Sequence, residues 1–238
     1  MTDPTAPDAV ARADRPGLSR RSLLDRALAI IDRDGLDNLS MRRLAAEFDV
    51  SAMSLYHHVP NKDALLQGVT ETLLGRIDLS AADNEDWAEA LREGFRSFRA
   101  VLLAHPNCLP LIQTKPSPSP EALRPVEVSL ATLRRGGFNE EEALKAHWLL
   151  VGYTIGHVGF MLANPLLHAA DGEAEAHRAL LGPRTDADTE FRNLIDCLPF
   201  AASVDVDDVY EFGLDTIMEG LRSRAEAGRS SDPVPGSI

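Results

Sequence analysis

The chain has 238 residues, of which 44% are hydrophobic and 26% charged, as in an ordinary globular protein of one or two domains. Two cysteines are too few for a disulfide framework, no apolar run reaches the roughly 18 residues that cross a bilayer, and the N-terminus lacks the apolar core of a secretory signal. Composition therefore predicts a cytoplasmic protein with reduced thiols and no membrane segment. The formal net charge of −13, taken alone, argues against contact with a polyanion.

The N-terminal region predicts a tail followed by a helix. Residues 1–17 contain three prolines and no apolar periodicity, which is typical of a disordered segment. In residues 19–34, Leu24, Leu28 and Ile31 fall on one face of an amphipathic helix. Gly35 follows its last turn, where a residue with positive φ often ends a helix.

Residues 39–62 predict two short helices separated by a tight turn and followed by a third helix. Ser40 and Ser51 are expected to cap the first two, because a serine hydroxyl accepts a backbone N–H that the first helical turn leaves open. Pro60 ends the second helix, since the residue before a proline avoids helical backbone angles, and Asn61 caps the third. Such a pair can place side chains in the major groove of DNA, although helical hairpins also occur in unrelated all-α cores.

The rest of the chain predicts helices and no strand, so the expected fold class is all-α. Glycines at positions 152, 156 and 159 fall inside one nearly all-apolar helix, which predicts that another backbone approaches it closely. Residues 164–203 predict a loop with short helical pieces, and residues 228–238 predict a flexible polar tail. The predicted helices cover residues 61–77, 86–104, 121–135, 140–163 and 205–227, and residues 109–113 form a further apolar stretch.

The acidic charge is unevenly distributed along the sequence. Residues 19–62 hold seven Arg or Lys against six Asp or Glu, which gives a net charge of +1 (seven minus six). Residues 63–238 therefore carry almost the whole acid excess. The helix pair remains compatible with DNA, although a charge of +1 predicts weak non-specific binding.

These residues resemble the tetracycline-repressor (TetR) family of bacterial transcription regulators. The matching segments are, in chain order, Ser19-Arg20, Gly35, Leu39–Ala45, Leu55–Val59 and Asn61–Leu66. A weaker resemblance to the tetracycline-repressor-like regulatory domain rests on Trp87, Phe95–Arg99, Lys115-Pro116, Gly137-Phe138 and Thr154–Gly156. The resemblance implies a three-helix, helix-turn-helix DNA-binding domain at residues 18–62 and a larger helical domain for ligand binding and dimerisation at residues 63–227.

The resemblance implies a sequence-specific regulator, by default a repressor, that binds a palindromic double-stranded DNA operator as a homodimer. Arg42 would grip a guanine or a phosphate, and Ala52 and Met53 would face the bases. The alternative for Tyr56, taken alone, is a core aromatic. The positions that match the family's DNA contacts are Arg42, Ala52, Met53, Ser54, Tyr56, His58 and Lys62. The helices at residues 140–163 and 205–227 would pair with their copies in a four-helix bundle, unless both are buried within one subunit.

The resemblance also implies a small-molecule inducer that binds the larger domain and releases the DNA. Leu111 and Phe160 occupy the positions of the family's magnesium site and cannot hold magnesium, which needs oxygen ligands, so tetracycline–magnesium is not the expected inducer. No metal or cofactor is expected. The matching pocket residues are Phe98, Leu111, Ile112, Ser129, Leu130, His147 and Val151, with Asp78 and Gln113 as further polar candidates. Each apolar member could be ordinary core, and His147 could be a buried histidine satisfied within the protein.

Two rival interpretations remain to be weighed. An enzyme would need a recognisable site, but the histidines at 147, 157, 168 and 177 are spaced by ten, eleven and nine residues, which fits no helical metal-ligand pair. The sequence also has no phosphate loop or nucleophile elbow, so no catalytic residue is expected. The other rival is a helical ligand-binding protein without DNA function, which the small charge of residues 19–62 would favour.

Overall fold

The structure is a computed structural model that describes residues 18–115, 117–163, 192–197, 200 and 204–231. All regular structure in these ranges is helical, which confirms the predicted all-α class. The predicted tail at residues 1–17, most of the predicted loop at 164–203 and residues 232–238 lie outside the described part of the chain. The helices are α1 (Arg20–Asp34), α2 (Met41–Glu47), α3 (Ala52–Tyr56), α4 (Lys62–Leu74), α5 (Trp87–Ala104), α6 (Leu109–Thr114), α7 (Pro120–Arg135), α8 (Glu140–Ala163), α9 (Arg192–Cys197) and α10 (Val206–Ser231).

Two compact units form within the chain. The first contains the described residues up to Ile77 together with Ala104–Pro125, and the second contains Asp78–Leu103 and the described residues from Val126 onwards. Along the chain, the first unit therefore ends after α4, resumes at the last residue of α5 and ends again within α7. The division differs from the predicted boundary after residue 62, because α4 packs against α1 and α6 within the first unit.

The bounds of the first helices follow from local chemistry. Ser19 forms a capping box with Ser22 at the start of α1, and Gly35 adopts a φ of 86° at its end. Ser40 accepts the backbone N–H of Arg43 at the start of α2, as predicted. Buried aliphatic side chains from α1, α2, α3 and α4 form the core of this region. The residues of this core with at most 1% exposure include Leu23, Ile30, Ile31, Leu44, Leu55, Leu65 and Leu73.

The core of the second unit is centred on Tyr210 of α10, which is fully buried. Its hydroxyl donates to the carbonyl oxygen of Phe95 in α5 at 3.1 Å and lies 3.1 Å from the Thr154 hydroxyl of α8. The Tyr153 ring of α8 stacks on Tyr210 with ring centroids 5.4 Å apart. One buried phenol therefore ties α5, α8 and α10 together.

Ion pairs also join α5 to α10 in an antiparallel ladder. Three arginines of α5 pair with three carboxylates of α10, and both sets recur every three or four residues, so they lie along one face of each helix. The pairs are Arg92 with Asp215, Arg96 with Glu211, and Arg99 with Asp207.

Among the described residues, α8 is long and apolar enough, by length and composition, to cross a membrane. One third of its most apolar stretch is buried within the protein, and a core or interface helix of a soluble protein meets the same criteria. This finding is therefore weak support for a membrane segment, and the predicted absence of one stays a prediction.

Candidate nucleic-acid interface

Helix α3 presents a short outer surface. Leu55 is fully buried and anchors the helix, and Val59 is buried just after it. On the outer side Met53 is 70% exposed and Tyr56 43% exposed, while Ala52, Ser54 and His58 are half-buried. Because Tyr56 faces outward, it is not the core aromatic that the sequence alone allowed.

The turn between α2 and α3 sets the direction of this surface. Asp49 has a φ of 57°, a left-handed conformation that aspartate tolerates better than most non-glycine residues. The backbone N–H of Val50 donates to the carbonyl oxygen of Ala45 at 3.1 Å, which closes the turn. A single left-handed residue thus connects two helices without a glycine.

The predicted cap of α3 is wrong. Ser51 precedes the helix in an extended conformation, but its side chain makes no capping hydrogen bond. Its hydroxyl instead lies 3.1 Å from the hydroxyl of Ser54, one turn along the helix. By contrast, Asn61 caps α4 as predicted, because its side-chain oxygen accepts the backbone N–H of Ala64 at 2.8 Å.

Ion pairing divides the cationic side chains of residues 19–62 into two classes. Four arginines pair with carboxylates of α1, α2 or α4, namely Arg20 with Glu71, Arg26 with Glu47, Arg33 with Asp34 and Glu47, and Arg43 with Asp34. Arg21 makes a longer contact of 4.0 Å with Asp25. Within the described ranges, the exposed side chains of Arg42 and Lys62 have no hydrogen-bond or ion-pair partner. These two cations, both predicted DNA contacts, are therefore free to approach phosphate or a base edge.

The predicted ligand residues fall into both units. Leu111 and Ile112 lie on α6 in the first unit, where Leu111 is buried and Ile112 half-buried, and Gln113 is exposed beside them. The other predicted members lie in the second unit. Of these, Phe98, Ser129 and His147 are buried, Leu130 and Val151 are half-buried, and Asp78 is exposed.

His147 and Ser129 form a buried polar pair in the second unit. His147 Nδ1 lies 3.0 Å from the Ser129 hydroxyl, and the imidazole sits between the rings of Phe95 at 6.4 Å and Trp148 at 5.4 Å. Burial lowers the pKa of His147 below its usual value, so the ring is neutral near pH 7. A neutral imidazole in an aromatic surround can hydrogen-bond a ligand or complete the core without one.

A second polar cluster in this unit was not predicted from the sequence. Arg99 lies 4.7 Å above the Tyr210 ring, and the His157 ring lies 5.1 Å from it. Arg99 Nε and His157 Nε2 are buried atoms without a hydrogen-bond partner in the described part of the chain. These contacts join residues on different helices that are distant in sequence, so helical periodicity carries no signal for them.

Helices α8 and α10 leave apolar side chains uncovered. On α8, Leu144, Trp148 and Leu149 are exposed, and Trp148 shows 61% of its surface. On α10, Val209 and Phe212 are exposed, and Phe212 shows 77%. No described atom beyond its own helix lies within 4 Å of where a Cβ on Gly152 or Gly156 would be, so the described residues show no close backbone approach at these two glycines.

Among the described residues, no group of three His, Cys, Asp or Glu side chains is placed to hold a metal ion. Phe160, at the position of the family's acidic magnesium partner, is exposed on α8.

Family models cover both parts of the chain. The model described as "Bacterial regulatory proteins, tetR family" matches residues 23–69, and the model described as "Tetracyclin repressor-like, C-terminal domain" matches residues 80–225.

Similar proteins include regulators of Streptomyces and Saccharopolyspora. A transcriptional repressor, DrrR1 of Streptomyces coeruleorubidus, is 30% identical over 89% of this chain and 80% of its own length. An HTH-type transcriptional regulator of Saccharopolyspora erythraea is 33% identical over 60% of this chain, and the match spans 61% of that relative. The crystal structure of apo ActR from Streptomyces coelicolor is 30% identical, covers 89% of this chain and 98% of its own, and superposes with a TM-score of 0.76. ActR in complex with actinorhodin is 32% identical over 88% of this chain and 99% of its own, with a TM-score of 0.74.

Proposed function

The chain belongs to the TetR family of bacterial transcription regulators, and from this premise we propose that it represses its target genes as a homodimer that leaves a palindromic operator when a small molecule binds. It is a DNA-binding regulator, and proteins of this family are not enzymes. Such a regulator acts on DNA inside the cell.

The outer face of α3 is the observation that carries this proposal. Leu55 fixes the helix from below, while Met53 projects outward where a base edge would lie. In the described part of this region, Arg42 and Lys62 are exposed cations without an ion-pair partner, and each lies in the first turn of its helix. Backbone N–H groups at helix N-termini favour phosphate. Each of these side chains can therefore bind the same phosphate as the N-terminus of its own helix.

The base-reading residues predict what kind of specificity to expect. Ala52 and Met53 offer methyl and thioether groups, which suit thymine methyls and the shape of the groove. Arg42 can add a two-point contact to guanine, worth about 1–3 kcal/mol of discrimination. Tyr56, Ser54 and His58 would fix the register by contacts with the sugar-phosphate backbone.

Dimerisation is proposed from the uncovered apolar side chains of α8 and α10. Trp148 and Phe212 together present large aromatic surfaces to water, which monomeric soluble proteins rarely do in one region. The two helices pack on one another, so a second copy could cover both at once. The open positions above Gly152 and Gly156 would then admit the partner's helices.

The proposal that a ligand causes release of DNA is based on residues of the second unit. Phe98, His147 and Ser129 offer an aromatic wall and one polar pair, which suits a largely apolar ligand with a hydrogen-bonding group. ActR, a similar protein, has been crystallised with actinorhodin and with (S)-DNPA. A ligand that prefers a form in which the two reading helices no longer match the groove spacing would lower operator affinity.

Footprinting on the DNA upstream of its own gene tests the proposal. The full-length protein should protect a roughly palindromic site, and Tyr56→Ala should weaken protection about tenfold, as expected for loss of a charge-assisted hydrogen bond. Leu123→Ala, which alters an exposed leucine of α7, is the matched control and should bind as the native protein does. Absence of any protected site, or normal protection by Tyr56→Ala, would contradict the proposal that α3 binds DNA.

Thermal unfolding tests the ligand part separately. A compound that binds the folded protein raises its melting temperature, and the proposal requires that the same compound release the protected DNA. Compounds that raise the melting temperature but leave the footprint intact would show that ligand binding and DNA release are not coupled.

A further inference from the structure

A histidine bridge lies in the first unit, in the 3-10 turn that joins α5 to α6. His105 Nδ1 lies 2.9 and 3.0 Å from the two carboxylate oxygens of Asp32, in the last turn of α1. On its other side, His105 Nε2 lies 2.8 Å from Nη1 of Arg76, just after α4. One imidazole therefore touches the ends of two helices of the DNA-binding region, and only 14% of its side chain is exposed.

The partners define the protonation state of this imidazole. A guanidinium can only donate, so His105 Nε2 must present its lone pair to Arg76. A carboxylate can only accept, so Nδ1 must carry the proton that faces Asp32. The bridge therefore needs the neutral ring with its proton on Nδ1.

Two neighbours of His105 strengthen this junction. Asn107 Nδ2 donates to the backbone carbonyl oxygens of Ile31 and Asp32 at 3.1 and 3.0 Å. The Ile31 carbonyl oxygen also accepts the backbone N–H of Gly35, so Asn107 adds a second donor to Ile31 and a donor to Asp32 in the last turn of α1. Cys108 is buried beside the junction; burial, followed by the charge of Asp32, raises the pKa of its thiol to about 12, so it is uncharged.

The same turn of α1 is bonded to the helix-turn-helix. Arg33 reaches Glu47 of α2 at 3.0 Å, and Arg43 of α2 reaches Asp34. Contacts therefore run without interruption from His105 through Asp32 and its neighbours in α1 to α2, the helix that precedes the reading helix. The turn that bears His105 begins where the chain returns from the second unit.

We propose that neutral His105 is a positioning residue for DNA binding, which holds the ends of α1 and α4 to the α5–α6 turn so that α2 and α3 keep the orientation that fits the operator. The proposal rests on the function proposed above. His105 itself touches no DNA. It acts through Asp32 and Arg76.

The test compares the full-length native protein with His105→Gln and His105→Phe on the DNA duplex that the native protein protects, at one pH and constant ionic strength. Glutamine can accept from Arg76 and donate to Asp32, so His105→Gln should bind as the native protein does. Phenylalanine keeps a ring but makes neither hydrogen bond, so His105→Phe should bind at least about fivefold more weakly, a typical size for coupling between sites.

Further variants separate positioning from simple packing. Arg76→Ala should also weaken binding, and the double variant should be no weaker than His105→Phe, because His105→Phe already removes the contact with Arg76. Native-like binding by His105→Phe, or binding by His105→Gln as weak as that of His105→Phe, would overturn the proposal.

The stability of the protein without DNA gives an independent reading of the bridge. His105→Gln should have a free energy of unfolding close to that of the native protein, and His105→Phe a lower one. If the native protein bound no DNA, the function proposed above would fail, and equal stability of His105→Phe and the native protein would overturn the bridge as well.

Discussion

The exposed cations near α3 differ in what they can offer to DNA. Arg33 is already held by Asp34 and Glu47, and these bonds raise the pKa of its guanidinium above the usual value. Lys62 and Arg42 have no such partner in the described part of the chain. An arginine that must first break an ion pair gains little electrostatic free energy when it binds phosphate. The number of arginines therefore overstates the attraction of this region for DNA.

Replacement of Lys62 by alanine should lower DNA affinity and reduce the slope of log K against log salt by about one. Arg33→Ala serves as the matched control: its slope should equal that of the native protein, although the lost ion pairs can lower stability. Titrations at several salt concentrations measure both slopes. Equal slopes for Lys62→Ala and the native protein would mean that Lys62 holds no phosphate.

Single residues were predicted from the sequence only where the cause is local. Ser40 and Asn61 cap their helices as expected, because both the donor and the acceptor lie within one turn. Ser51 was predicted wrongly, since its hydroxyl has a second partner in Ser54 that a capping rule does not consider. The His105 bridge joins residues 73 and 29 positions apart, so no local pattern could indicate it.

At the scale of helices, the close contact between α8 and α10 depends on one glycine. A Cβ at Gly213 would lie 2.0 Å from the hydroxyl oxygen of Tyr153. That hydroxyl donates to the carbonyl oxygens of Val209 and Tyr210, and its ring stacks on Tyr210, so it cannot move aside without losing these contacts. Gly213 therefore fixes how closely the two helices pack.

Gly213→Ala is expected to lower the free energy of unfolding by about 1–3 kcal/mol, the usual cost of overpacking. Gly94→Ala on α5 is the control, since no atom lies within 4 Å of its added Cβ beyond its own helix, and alanine is the better helix former. Urea unfolding at one protein concentration gives both values. Equal stability of the native protein and Gly213→Ala would mean that Tyr153 has room to move.

Periodicity predicted the helices to within a few residues, but not which of them pack together. The glycines of α8 were expected to admit a close neighbour, yet the glycine at the observed contact is Gly213 of α10, while no other helix among the described residues comes close to Gly152 or Gly156. Helix α10 also continues to Ser231, so the polar tail does not begin at residue 228. Packing between helices depends on side chains distant in sequence, which spacing along one helix does not encode.

For the whole molecule, the proposed function depends on a second copy. The exposed aromatic side chains of α8 and α10 form the proposed dimer surface. Two reading helices about 34–36 Å apart can span successive major-groove faces of one operator, whereas one α3 of five residues offers few base contacts. Loss of dimerisation should therefore cost far more affinity than loss of a single DNA contact.

Trp148→Glu and Phe212→Glu should each convert a dimer into a monomer, because a carboxylate would be buried without a partner at the interface. Leu123→Glu places the same charge on an exposed position of α7 and should leave the dimer intact. Sedimentation of the full-length proteins gives the oligomeric state directly. A native protein that sediments as a monomer, or a Trp148→Glu variant that remains dimeric, would contradict this surface.

The most direct test of the account is selection of duplexes from a random DNA pool by the full-length protein and by a variant that carries Met53→Arg on α3. The native protein should enrich a two-fold symmetric sequence with half-sites about one helical turn apart. The variant should enrich a sequence with the same symmetry and spacing but altered bases at the positions that α3 reads. Enrichment of no symmetric sequence by the native protein, or of identical bases by both proteins, would contradict the claim that α3 reads DNA.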